Sequence, residues 1–151
     1  KSKKPILLVG HGVHTSRSGA AVKKLAELMN CPVIQTSGGT SYIKGLEDRT
    51  FQYVFSDASI EAVTESDLCL ALGTELGEPV HYGRWRYWVK NEAIRKWIYV
   101  EQDPAAIGVN RPIDVVVLNC WVIETNDTPW ASNSSTSRAK SDKARVSRST
   151  L

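Results

Sequence analysis

The sequence contains only three cysteines, one methionine and no long apolar run. The cysteines Cys31, Cys69 and Cys120 are widely spaced, which excludes a C-x-x-C metal clip or a disulfide framework and indicates reduced thiols in or near the core. No apolar run approaches the ~18 residues of a membrane-spanning helix. A secretory pattern with a small-residue cleavage site is also lacking, so we predict a cytoplasmic protein that has no membrane partner.

A strong charge of either sign is lacking as well. The formal net charge is +3, and the segment 131–151 carries five basic residues against one acidic residue. The rest of the chain is therefore close to neutral, which argues against nucleic acid as a partner of the folded part. Binding of nucleic acid through the basic tail would rest on electrostatic attraction alone.

What the sequence does contain is a series of short apolar runs that alternate with helical patterns. Five of these runs predict buried strands, at Ile6–Val9, Pro32–Thr36, Asp67–Leu72, Trp97–Glu101 and Asp114–Leu118. The alternation predicts an α/β fold with a doubly wound parallel sheet of five or six strands, which is Rossmann-like. The segment from Thr40 to Gln52 predicts a loop, and Asp57 is predicted to cap the helix that follows Phe55.

Small or polar residues follow four of the predicted strands. Right-handed crossovers bring the carboxyl ends of parallel strands to one edge of the sheet, where such folds bind their ligands. These residues therefore predict a ligand crevice, and they lie at Gly10–Gly12, Thr36–Gly39, Gly73–Glu75 and Glu101–Asp103.

The first of these turns, Gly10-His11-Gly12, starts like a dinucleotide fingerprint but departs from it. The third glycine would fall at Thr15, and no carboxylate ends the second predicted strand, which argues against a standard NAD site. Glu101 follows the fourth predicted strand and fits an adenine-ribose group that lies across the crevice. A glycine turn that only lets helix and sheet pack closely is an equally good interpretation.

Catalytic and metal-ligating patterns are lacking. His11 and His14 lie in a turn without a nearby Cys, Asp or Glu ligand, and His81 stands alone, so no metal site is predicted. Glu75 and Glu78 share a loop as solvated acids, and no serine lies in a nucleophile elbow. The residues therefore predict a domain that binds or supports, with no catalytic residue in this chain.

Four segments together resemble, in order, the central domain of thiamine-diphosphate-dependent enzymes, most closely that of the acetolactate-synthase-like large-subunit family. They are "KPILLVGHGV", "LAELMNCPVIQTSGGTSYI", "SDLCLALGTEL" and "KWIYVEQDPAAIGVNRPIDVVVL". The resemblance covers Lys4 to Leu118, and its most specific part is the run from Ile98 to Asp114. It implies a domain at 4–120 of the DHS-like NAD/FAD-binding type, followed by a Ser/Lys/Arg-rich tail at 121–151.

The resemblance also implies what the parent enzyme needs besides this domain. In full-length members an N-terminal domain supplies the glutamate that activates the cofactor, and a C-terminal Gly-Asp-Gly motif holds diphosphate and Mg²⁺. The sequence "GDG" does not occur here. We therefore expect thiamine diphosphate and Mg²⁺ only in the full-length parent, an enzyme of the acetolactate synthase or 2-oxo acid decarboxylase type. The expected partners are a second copy in a homo-oligomer or the other domains of the parent.

In this family the central domain resembles a dinucleotide fold that binds FAD in the acetolactate synthase branch and ADP in a related branch. The contacts that the resemblance carries over are Gly10, His11, Gly12, Thr36, Ser37, Gly73, Glu75, Glu101 and Gln102. Two departures stand out. Glu75 replaces an arginine of the family and sets an anion beside the expected diphosphate, which costs affinity. Asn119-Cys120-Trp121 replaces the family's Gly-Asp-Ala.

The composition changes after Cys120. The segment 131–151 holds seven serines and almost no apolar residue, so the tail is predicted to be disordered. Our hypothesis for its origin is a truncation, a frameshift or another artefact after about Leu118. The chain is interpreted as an isolated central domain that supports subunit assembly, with FAD or ADP as an adenine-nucleotide ligand. The alternative is a stand-alone adenine-nucleotide-binding regulatory module.

Overall fold

The computed structural model describes residues 2–40 and 43–118, together with the backbone of the last strand. Within these residues one sheet contains β1 (Pro5–Val9), β2 (Val33–Gln35), β3 (Thr50–Gln52), β4 (Leu68–Leu72), β5 (Lys96–Glu101), β6 (Val115–Leu118) and β7 (Trp121–Glu124). The strand order is β3-β2-β1-β4-β5-β6-β7. Strands β1 to β6 are parallel, and β7 pairs with β6 in the antiparallel sense.

Among the described residues, three α-helices connect strands in the first half of the chain. Helices α1 (His11–Thr15) and α2 (Gly19–Met29) lie between β1 and β2, and α3 (Asp57–Glu65) lies between β3 and β4. Other connections contain 3-10 turns at Ser37–Gly39, Glu78–Gly83, Arg86–Trp88 and Pro104–Ala106. Helix α2 ends where Asn30 takes a left-handed conformation with φ 47°, as the Asn-x-Pro sequence favours. In the part of the chain that the structure describes, no helix is long and apolar enough to span a membrane.

The strands bury side chains on both faces, which is why their sequences read as continuous apolar runs. Because side chains alternate along β1, Leu7 packs with the α2 residues Val22 and Ala26 on one face. Leu8 packs with Val63 of α3 on the other face. Helices therefore cover the two faces of one sheet, which confirms the doubly wound α/β prediction.

A buried arginine forms hydrogen bonds with the carboxyl end of α3. Arg95 is 3% exposed, and its guanidinium donates hydrogen bonds to the backbone carbonyls of Val63, Thr64, Ser66 and Trp88. Three of these carbonyls belong to the last turn of α3 and its end, where the helix offers few N–H groups, and Val63 O also accepts hydrogen bonds from the backbone N–H and the hydroxyl of Ser66. The arginine thus supplies charged donors to buried acceptors at the end of α3.

Two predictions for local structure were wrong. The segment predicted as a loop contains β3, which escapes a search for apolar runs because it has three residues and its side chains are half-buried. Helix α3 is capped by Ser56, whose hydroxyl accepts a hydrogen bond from the backbone N–H of Ser59 at 3.3 Å. Asp57, the predicted cap, is the first residue of the helix.

The prediction of reduced core thiols is confirmed for two cysteines, while Cys120 lies outside the described residues. Cys31 and Cys69 are buried and free, and burial raises the pKa of these thiols to about 11 and about 12. The predicted tail at 121–151 also lies outside the described residues, apart from the backbone of β7.

Candidate functional site

A cleft of about 970 Å³ opens at the carboxyl ends of β1, β4 and β5. The chain continues from β1 to β2 on one side and returns to β4 on the other, so the cleft lies at the switch point of the sheet, where α/β folds bind ligands. Its wall is mainly apolar and is formed by Val13, Ala21, Val22, Leu25, Leu72, Pro79, Val80, Val100 and Val117.

Seven of the nine predicted contact residues line this cleft, namely His11, Gly12, Thr36, Gly73, Glu75, Glu101 and Gln102. Gly10 is buried at the start of the first turn, and Ser37 is exposed at the start of the 3-10 turn after β2; neither lines the cleft. The four loops that the sequence assigned to one edge therefore do meet there. Their role in binding stays a prediction.

The glycines of these loops pack against one another. A Cβ on Gly10 would lie 2.3 Å from the carbonyl oxygen of Gly73, and one on Gly12 would lie 2.8 Å from the Cα of Gly73. A Cβ on Gly39 would lie 2.1 Å from the carbonyl oxygen of Val9. We call Gly10, Gly12, Gly39 and Gly73 the glycine junction. It lets three loops approach within backbone contact, so the packing interpretation of the first turn explains these glycines.

The backbone N–H groups of the glycine junction all donate hydrogen bonds within the protein. Gly12 donates to Gly73 O at 2.9 Å, Gly10 donates to Leu72 O at 2.9 Å, and Gly73 donates to Val100 O at 3.2 Å. The N–H of Gly39 donates to Thr36 O at 2.9 Å. Phosphate-binding glycine loops turn such N–H groups toward the anion, but these four already have acceptors in the protein.

Glu101 ends β5 at the rim of the cleft and is half-buried. One of its carboxylate oxygens accepts hydrogen bonds from the backbone N–H groups of Gln102 and Asp103, at 2.8 and 3.3 Å. The other accepts one from the hydroxyl of Tyr99 at 3.3 Å. These bonds fix the carboxylate at the rim, where its remaining lone pairs can accept hydrogen bonds from a ligand hydroxyl.

The cleft has an acidic rim. Glu75 and Glu101 both line it, and among the described lining residues there is no lysine or arginine. Burial raises the pKa of the Tyr99 phenol, and the carboxylates of Glu101, Glu75 and Asp103 raise it further. The negative charge at this end of β5 therefore disfavours the approach of another anion.

The histidines do not form a metal site. The Nδ1 atom of His11 lies 3.2 Å from Gly38 O. The ring centroids of His11 and His14 are 6.1 Å apart. His81 is elsewhere, with its Nδ1 atom 3.1 Å from the hydroxyl of the buried Tyr53. Across the described ranges, no three His, Cys, Asp or Glu residues are grouped closely enough to hold a metal ion.

Sequence reasoning missed two contributions to the cleft. The apolar side of α2, including Val22 and Leu25, lines the cleft as well as the core, and helical periodicity cannot separate these two roles. Asn110 fixes the loop after β4, because its side-chain amide donates to Glu75 O at 2.9 Å. The sequence separation of the two residues hides this contact.

An adenosine group and a diphosphate group fit this cleft differently. The apolar wall suits a base, and the Glu101 carboxylate suits ribose hydroxyls. A diphosphate would meet the acidic rim and a glycine junction whose N–H groups are engaged. The residues present therefore fit the adenosine part of FAD or ADP and do not fit the diphosphate part.

Comparisons with known proteins agree with the resemblance read from the sequence. A "Probable acetolactate synthase large subunit" from Methanococcus aeolicus is 30% identical over 120 residues, which are 78% of this chain and 19% of that protein. An "Acetolactate synthase" from Mycobacterium avium is 30% identical over 123 residues, again 78% of this chain and 19% of that protein. The chain thus spans about a fifth of the length of these relatives.

A solved structure shares the fold. A protein from Mycobacterium smegmatis, described as "a putative thiamin diphosphate-dependent enzyme", superposes with a TM-score of 0.55 at 20% sequence identity, covering 74% of this chain and 21% of that one. The family model "Thiamine pyrophosphate enzyme, central domain" matches residues 1–121. Because this match takes in most of the chain, the chain belongs to the central-domain family of thiamine pyrophosphate enzymes.

Proposed function

We propose that this chain serves as a non-catalytic central domain within a thiamine pyrophosphate enzyme of the acetolactate synthase type, and that its cleft binds adenosine. Adenosine is the part that the expected ligands FAD and ADP share. The observation that supports this best is the switch-point cleft of about 970 Å³, which combines an apolar wall with the Glu101 carboxylate. Pockets of this size and lining are typical of small-molecule sites.

Glu101 is the residue on which adenosine binding depends most in this proposal. Its carboxylate is held at the rim by Tyr99, Gln102 and Asp103, so little side-chain entropy is lost when a ribose hydroxyl binds. A hydrogen bond to a charged acceptor contributes about 1.5–3 kcal/mol, which corresponds to about tenfold or more in affinity. The apolar wall adds contact with the base.

A thermal-shift panel with adenosine, ADP, FAD, NAD and coenzyme A tests the proposal. A ligand that binds only the folded state stabilises it by RT ln(1 + [L]/Kd), about 2.7 kcal/mol at a hundredfold excess over Kd. For a chain of this size that raises Tm by roughly 5–10 °C. The Glu101→Gln variant should lose most of the shift with adenosine, and Glu61→Gln, exposed on α3, should keep it. The proposal fails if adenosine does not stabilise the chain or if both variants behave alike.

A second candidate function, support of subunit assembly, is favoured by exposed apolar side chains between residues 85 and 94. Trp85, Val89 and Ile94 are 58%, 59% and 62% exposed, respectively. Apolar groups of this size that cluster in one segment are typical of surfaces covered by another protein. We propose that this segment contacts a second copy of the chain.

Sedimentation velocity over a range of concentrations tests this second function. The unmodified chain should form a dimer as concentration rises, and a Trp85→Ser, Ile94→Ser double variant should stay monomeric. Leu28→Ser is the matched control, because Leu28 is 81% exposed on α2 and lies outside the segment. A chain that stays monomeric throughout, or a control that dissociates like the double variant, would contradict the assembly role.

A further inference from the structure

We propose that the cleft selects an uncharged nucleoside over its phosphate esters, and that Glu75 determines this selectivity. The inference rests on the proposed function, since it specifies which ligand class the same cleft takes. Its starting point is the charge of the lining residues. Glu75 and Glu101 are acidic, and the described part of the cleft contains no lysine or arginine to offset them.

Glu75 and Glu101 come from neighbouring strands. In the parallel register of β4 and β5, Leu72 pairs with Val100. Glu101 directly follows Val100, and Glu75 lies three residues beyond Leu72, so both acids stand just past the sheet edge. The raised pKa of Tyr99, to which both carboxylates contribute after burial, agrees with a negative field between these strands.

The two carboxylates differ in the hydrogen bonds and ion pairs that they form. Glu101 accepts hydrogen bonds from Tyr99, Gln102 and Asp103. The Glu75 side chain is exposed, and within the described residues no ion pair involves its carboxylate. Its backbone is fixed by the amide of Asn110. Glu75 therefore presents an uncompensated charge on a held loop that lines the cleft.

The effect on binding follows from Coulomb's law. At the intermediate dielectric of a protein surface, two like charges several ångströms apart repel strongly enough to weaken binding by about tenfold. A neutral nucleoside feels no such repulsion. Screening by salt reduces the repulsion, because the Debye length falls to about 3 Å at 1 M ionic strength. The cleft should thus prefer adenosine to ADP, and the preference should shrink as salt is added.

Isothermal titration calorimetry of the full chain with adenosine, AMP and ADP tests the inference. We expect adenosine to bind about tenfold or more tightly than ADP at low ionic strength. In Glu75→Gln the adenosine-to-ADP affinity ratio should fall about tenfold, and in Glu75→Lys it should fall further. Glu78→Gln is the matched control, because Glu78 is an exposed acid of the same loop that does not line this cleft, and it should keep the wild-type ratio.

The outcomes separate the two proposals. Equal affinity of the unmodified chain for adenosine and ADP, or an unchanged ratio in Glu75→Gln, overturns the selectivity while adenosine binding stands. A ratio that changes equally in Glu78→Gln also overturns the role of Glu75, because it assigns the effect to overall charge. Failure of adenosine to bind overturns the proposed function and the inference together.

Discussion

The glycine junction makes a sharp prediction for Gly39→Ala. The added Cβ would lie 2.1 Å from Val9 O and 2.8 Å from the Cα of Gly10, whereas non-bonded carbon atoms prefer about 3.5–4.0 Å. Both contacts are with the backbone at the end of β1, so no side-chain rotation can relieve them. The loop after β2 must move away from β1, which strains the bond from Gly39 N to Thr36 O.

The magnitude follows from two contributions. Overpacking of a well-packed region costs about 1–3 kcal/mol, and loss of one backbone hydrogen bond adds about 1 kcal/mol. We expect Gly39→Ala to lower the free energy of unfolding by about 3 kcal/mol, which lowers Tm by roughly 6–12 °C for a chain of this size. The neighbouring Gly38→Ala is the matched control, because the nearest atoms to its Cβ would be His11 Cβ at 3.4 Å and His11 N at 4.0 Å.

Urea unfolding followed by tryptophan fluorescence measures this difference, since Trp88 and Trp97 are fully buried. Gly38→Ala should stay within about 1 kcal/mol of the unmodified chain, because alanine restricts the unfolded state slightly and meets no obstacle in the fold. Equal unfolding midpoints for Gly38→Ala and Gly39→Ala would refute the reasoning from backbone contact.

Three further predictions concern buried charge, pH and thiols. Arg95→Met should lower the free energy of unfolding by about 2–4 kcal/mol in urea titrations, because three carbonyls at the end of α3 each lose a charged donor. Burial would raise the pKa of Asp67, but hydrogen bonds from Ser2 and from the backbone N–H groups of Lys3 and Lys4 outweigh it, so the pKa of this carboxyl is lowered in the folded chain. The free energy of unfolding should therefore fall as the pH drops below the unfolded-state pKa of about 4. In acid titrations Asp67→Asn should flatten that fall. In a Cys120→Ser variant at pH 8, Cys31 and Cys69 should resist a disulfide reagent until urea exposes them.

Each of these predictions has an opposing outcome. An Arg95→Met variant as stable as the unmodified chain would show that water serves the α3 carbonyls equally well. An Asp67→Asn variant with an unchanged acid profile would assign the pH dependence to other carboxylates. Rapid labelling of the folded Cys120→Ser variant would mean that Cys31 or Cys69 becomes accessible through local opening.

The sheet could be predicted because its central strands are buried on both faces. A run such as Ile6–Val9 has no polar position, so length and the glycine that follows are enough to identify a strand. Strand β3 could not be found in this way. Among the described strands it lies at the edge of the sheet beside β2. It forms because β2 offers a free edge, which is a tertiary cause that the local sequence does not encode.

The candidate site, like the sheet, could be predicted from the sequence only in part. Parallel topology places the loops after β1, β2, β4 and β5 together, so the residues that line the cleft follow from the strands. The role of the glycines could not be predicted from the sequence, because a phosphate-binding loop and a close backbone contact both require glycine. Burial of Arg95 could not be predicted either, since arginine is rarely buried and its carbonyl partners at the end of α3 are distant in sequence.

The central claim is that the switch-point cleft binds adenosine, and an NMR titration of the isotopically labelled chain tests it most directly. The account predicts saturable shifts at the amides of Gly12, Thr36, Gly73 and Gln102, which line the cleft, and none at Val63, which belongs to α3 and faces the core. Shifts confined to another surface, or no shifts at millimolar adenosine, would contradict it.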